Sequence, residues 1–183
     1  MKILSQKALA SIATAVLALG STTSVLSQTD TEFSTITLNY MTTPIIDIAF
    51  VDNLDLLAPP DGTPGPIVDD DTFCVSGMGF TLFSIVFRNP NNPTGGPFEL
   101  DSSVPGESPI FYEVFFKNDT SPGPGMMVSP DTPEFGNMIQ TAMCMDPTMD
   151  NAKFDISIPN AEWTGRAAGA PFVGVLEIMV MAE

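Results

Sequence analysis

The sequence predicts an all-β domain of immunoglobulin-like sandwich architecture. Three observations carry that reading. Proline and glycine, 17 and 14 in the chain, recur as punctuation between short intervals. Val, Ile, Phe and Thr fill those intervals, and these residues fit a pleated, half-buried surface. Within the intervals apolar and polar positions alternate with period two, the pattern of a strand with one face on a core.

Along the chain, Ile36, Leu38 and Tyr40 alternate with Thr35, Thr37 and Asn39. Strands are then expected over 45–51, 80–88 and 98–100. A clear one has Ile110, Tyr112, Val114 and Phe116 on one face. Two more are expected over 153–158 and 172–181, giving roughly seven, the number of an immunoglobulin-like sandwich. In the last, Phe172, Leu176, Ile178 and Val180 should face the core, with Gly174 allowing a close approach. Residues 57–72, which hold four prolines and Asp69-Asp70-Asp71, read as a loop, as do residues 121–133. Residues 137–143 could hold a short helical turn.

The first residues carry a separate message. Lys2 and Lys7 precede an apolar run from Ala8 to Leu19, followed by small and polar residues from Ser21 to Ser27. That is the pattern of a secretory signal peptide over 1–27, too short in its apolar part to span roughly 30 Å of hydrocarbon. What remains is one ordinary domain's worth of chain. It keeps four basic residues, Arg88, Lys117, Lys153 and Arg166, against all 22 acidic ones. Such a charge opposes binding to nucleic acid or to an anionic membrane surface and favours repulsion between free copies.

Cys74 and Cys144 are the only cysteines. In an oxidising compartment a pair of this kind is expected to form a disulfide. Closing so long a loop restricts the unfolded chain by roughly 4 kcal/mol in the entropy model. The spacing has no C-x-x-C character, which argues against a redox pair.

Histidine is absent, which removes the usual general base and the commonest metal ligand together. No enzyme, no cofactor and no metal site is therefore expected. Asp69 to Asp71, and Asp52, Asn53 and Asp55, lack the alternation, glycine and terminal glutamate of a calcium loop. Met138, Met143, Met145 and Met149 surround Cys144 and could offer soft thioethers to copper, but filling irregular core gaps is the plainer role for methionine. Asn118-Asp119-Thr120 fits a glycosylation acceptor and reads as a turn.

The order of features is more specific than any one of them. Cys74-Val75-x-Gly77 is followed by Phe98-x-Leu100, by Ile110-x-Tyr112-x-Val114-x-Phe116 and by Asn118-Asp119. Then come Cys144, Asn151-Ala152-x-Phe154-x-Ile156-x-Ile158, Ala168-Gly169 and Phe172-x-Gly174-x-Leu176-x-Ile178-x-Val180, with Ala182-Glu183 at the end. Over about residues 33–183 this resembles the pilin subunits of chaperone–usher fimbriae, most closely the archaic branch that shares the spore coat protein U type of domain. Gly169-Ala170-Pro171-Phe172 departs from the family's usual Gly-Thr-Tyr before the last strand.

The resemblance implies a sandwich that lacks one strand and is completed by donor-strand exchange. A periplasmic chaperone fills the groove first, and the N-terminal strand of the next subunit replaces it at an outer-membrane usher. On that basis residues 28–43 are the candidate donor strand, with Ile36, Leu38 and Tyr40 entering the groove, and residues 44–183 form the pilin-like domain. The expected function is a structural subunit of a surface fimbria for adhesion or biofilm formation, exported through the periplasm. Its partners would be like subunits, the chaperone and the usher. The rivals are a monomeric secreted β-sandwich binding module for carbohydrate or Ca²⁺, and a periplasmic copper protein.

Overall fold

The computed structural model describes residues 43–59, 63–92, 95–166 and 171–183. The expected signal peptide and the candidate donor residues Ile36, Leu38 and Tyr40 lie outside them. Within them the chain forms β1 (Ile45–Ala49), β2 (Ile67–Met78), β3 (Leu82–Arg88), β4 (Glu99–Ser102), β5 (Ile110–Phe111) and β6 (Glu113–Lys117). It continues through β7 (Met126–Val128), β8 (Glu134–Met138), β9 (Ala152–Ile158), a four-residue helix α1 (Asn160–Trp163), β10 (Phe172–Val173) and β11 (Glu177–Ala182).

These strands build an antiparallel β-sandwich. One sheet runs β1-β2-β9-β6-β7, a second β11-β3-β8, and a small third β10-β4-β5. The first two meet through aromatic side chains. Phe87 of β3 packs on Phe116 of β6 and Phe154 of β9 with ring centroids 5.7 and 6.3 Å apart, and Phe73 of β2 joins the cluster. Tilted rings at such distances add to the burial they already provide. The alternation over 110–116 holds: Ile110, Tyr112, Val114 and Phe116 are all buried, while Glu113 and Phe115 between them are not.

Four local expectations fail, each for a nonlocal reason. Asp69 to Asp71 are not a loop but the middle of β2, in register with Ile156, Asp155 and Phe154 of β9. The sheet tolerates them because Lys153, a buried cation on β9, stands 3.6 Å from Asp70 and 2.8 Å from Asp155. Burial pulls the Lys153 ammonium down, but the two carboxylates outweigh it and hold it above its ordinary value. Residues 121–133 are not all loop, because 126–128 pair with β6.

Residues 137–143 hold no helical turn. Asn137 and Met138 extend β8 against β3, and Thr141 bridges to Ser76. The helical turns fall instead at Pro147–Met149, capped by the Asp146 carboxylate on the Thr148 N–H, and at α1. Finally, the last strand is divided. Phe172 and Val173 pair with Ser102 and Asp101 of β4, whereas Glu177 to Ala182 pair with β3, so 174–176 cross between sheets.

Candidate functional site

The crossing opens a groove. β11 is hydrogen-bonded to β3 along one edge, and among the described residues no strand pairs with its other edge. Phe50, at φ 65°, turns the chain out of its ladder with β2 at the end of β1. Residues 51–58 then run on without strand assignment as the second wall. That wall is held by the Asp52 N–H donating to the Asp71 carboxylate at 2.8 Å. Leu54 and Leu56 turn onto the core while Leu57 is 84% exposed, so the segment already alternates as a strand does.

Between the walls lies a cavity of about 1140 Å³, whose floor includes Ile67, Ile110, Tyr112, Phe154, Ile156 and Ile158. Most of these are core residues, so the cavity opens directly onto the core. One end is closed by α1 and the residue turn after it. Trp163 donates its indole N–H to the Gly65 carbonyl at 3.0 Å. Arg166 lies 5.7 Å from the Phe172 ring centre and donates to the carbonyls of Ser108 and Pro109. Within the floor Tyr112 stacks on Phe98 at 5.6 Å, and burial pushes its phenol up to about 12.

The sequence-predicted last-strand residues lie along this groove or beside it. Phe172, Leu176, Ile178 and Val180 pack against the core but are only half-buried, and the residues between them, Val173 and Val175, are exposed. At Gly174 an added Cβ would come within 2.7 Å of the Glu99 carbonyl oxygen, so a glycine lets the crossing segment press against β4. Cys74, in β2, is bonded to Cys144 with S–S 2.04 Å and Cα–Cα 5.8 Å. The disulfide ties the segment after β8 to the centre of the large sheet, away from the groove.

Among the described residues no group of three or more Asp, Glu, Cys or His is arranged to hold a metal ion. Met138, Met143 and Met145 do not fill core gaps: they are 65, 57 and 72% exposed. Two parts of the site escaped the sequence reading. The strand expected over 45–51 and the loop over 57–72 leave residues 52–56 unassigned, although the alternation Leu54, Asp55, Leu56 is there to find. Tyr112 was read only as a core-facing strand residue.

No protein-family model matches the chain, and neither does any curated protein. Among solved structures, one of a chaperone–tip adhesin complex, described as vital for synergistic activation of CFA/I fimbriae biogenesis, aligns at a TM-score of 0.45 with 15% identity. The alignment covers 75% of this chain and 42% of that one, so the chain spans less than half its length. Among the described residues no helix is long and apolar enough to cross a membrane.

Proposed function

We propose that this chain is a structural subunit of a bacterial surface fimbria, and that it polymerises by taking an extended strand of another copy into the groove between β11 and residues 51–58. One observation carries the reading: among the described residues neither the free edge of β11 nor residues 51–58 has a strand partner on the side facing the groove, and the groove between them is apolar and opens onto the core. A strand edge of this kind offers unsatisfied N–H and C=O groups to any extended chain, while the apolar floor accepts alternate side chains. Left open, the groove would expose core surface to water and invite non-specific association.

The occupant is residues 28–43 of the next subunit. Their Ile36, Leu38 and Tyr40 have the period of an inserted strand, and the resemblance to archaic chaperone–usher pilins supports the same assignment. In this reading a periplasmic chaperone covers the groove before assembly, an outer-membrane usher orders the exchange, and the fibre serves adhesion or biofilm formation. The acidic surface repels free subunits until a docked strand offsets the repulsion. Catalysis has no place in it.

The deciding experiment adds a second copy of residues 28–43 after Glu183 through a flexible linker long enough to reach the groove. Each subunit then carries its own occupant. It should become a stable monomer that no longer polymerises and melts at a higher temperature than the unfused chain. An unchanged melting temperature and oligomeric state would reject strand exchange and leave a secreted binding module as the better account.

A further inference from the structure

Tyr112 differs from the rest of the groove floor. It is 6% exposed, and its neighbours on the floor are aliphatic or phenyl side chains. Its backbone N–H is satisfied by the Phe98 carbonyl at 3.1 Å. Its hydroxyl has no hydrogen-bond partner among the described residues, yet it is not one of the buried polar atoms shut off from solvent, so it still meets water in the open groove. A strand that covers the groove would take that water away; a hydroxyl desolvated without a replacement bond is destabilising, and phenylalanine would pack the same ring without that penalty. The hydroxyl therefore favours an occupant of the groove that replaces the lost water.

The candidate donor supplies a match. In an extended strand, the parity that puts Ile36, Leu38 and Tyr40 on one side also puts Ser34 there. That face thus has an apolar centre with a hydroxyl toward each end. Whichever way such a strand runs, its groove-facing side carries a hydroxyl beside the apolar centre.

We propose that Tyr112 is a specificity-determining residue of the groove, donating a hydrogen bond from its hydroxyl to a hydroxyl on the inward face of the inserted strand, that of Ser34 or of Tyr40. This rests on the strand-docking reading and deepens it. Apolar alternation alone would admit many strands. A buried polar group left unpaired by the wrong strand discriminates far more sharply than a missing methylene does. Because the phenol stays neutral to about pH 12, it is a donor at any pH the protein would meet.

The test uses a fluorophore-labelled synthetic peptide of residues 28–43, titrated with the chain and with its Tyr112→Phe variant and read by anisotropy. Loss of one hydrogen bond between neutral groups should weaken binding about tenfold in Tyr112→Phe, with the unliganded variant melting no lower than the original. Peptides carrying Ser34→Ala or Tyr40→Phe distinguish the two acceptors. The true one should lose affinity against the original chain and lose nothing further against Tyr112→Phe, the non-additivity expected of a direct pair. Equal affinity of the original peptide for both chains, or additive losses for both peptide variants, would overturn the assignment of Tyr112. Absence of peptide binding by the original chain would overturn the strand-docking reading itself.

Discussion

The Asp52 backbone N–H donates to the Asp71 carboxylate at 2.8 Å, and this one bond fastens the second wall of the groove to the large sheet. Asp71 is poorly placed for the charge that bond prefers. Burial pushes its carboxyl up, the Asp52 N–H pulls it back down, and the nearby carboxylates of Asp52 and Asp150 push it up again. The net shift is upward from 3.8.

A carboxyl whose folded value is raised binds its proton more tightly folded than unfolded. It therefore destabilises the fold above its folded value, and that penalty fades as the pH falls through the raised value toward 3.8. Asp71→Asn keeps an oxygen for the Asp52 N–H without the charge. The variant should melt above the original chain at pH 7, and the difference should vanish near about pH 3, where both are neutral. An original chain that is the more stable at pH 7 would show that the charge-assisted bond outweighs desolvation.

At the sheet crossing, Gly174→Ala should be costly although alanine is the smallest change available. The new methyl would lie 2.7 Å from the Glu99 carbonyl oxygen and 2.8 Å from Leu100 Cδ2. Backbone cannot yield as a side-chain tip can, so about 1–3 kcal/mol is expected, with a lower urea midpoint at an unchanged slope. An unchanged midpoint would mean that β10 can part from β4 without loss.

Leu176 and Val175 provide a parity test within that crossing segment. Leu176 packs on the core and lines the groove, whereas Val175 is 53% exposed. Leu176→Asp should cost about 2–4 kcal/mol or prevent folded protein from accumulating, and Val175→Asp should cost well under 1 kcal/mol. Equal tolerance in urea titrations would reverse the assignment of faces. Glu177 is less suited to the comparison, because it accepts from Arg88 at 2.5 Å and is held below its ordinary value by that bond.

The features legible in the sequence are those governed by neighbours a few residues apart. Alternation over Ile110 to Phe116 depends only on the two-residue repeat of an extended chain, and burial of all four inward residues follows from it. The pairing of Cys74 with Cys144 needed only a count of two and the expectation of export. The β-sandwich class was readable on the same local grounds.

What only the tertiary structure decided is which edge each strand finds. Asp69 to Asp71 are poor strand formers and by themselves read as a loop. They become strand because β9 lies alongside and brings Lys153 to Asp70. One continuous apolar alternation from Phe172 to Val180 serves two sheets, since nothing in its period records that β4 holds its start and β3 its end. The groove exists because of that division and because the backbone ladder between β1 and β2 ends at Phe50, leaving residues 51–58 without a strand partner among the described residues. Strand pairing is a contact between residues far apart in sequence, so an alternating pattern can say that a face is buried without saying against what, or that an edge has been left open.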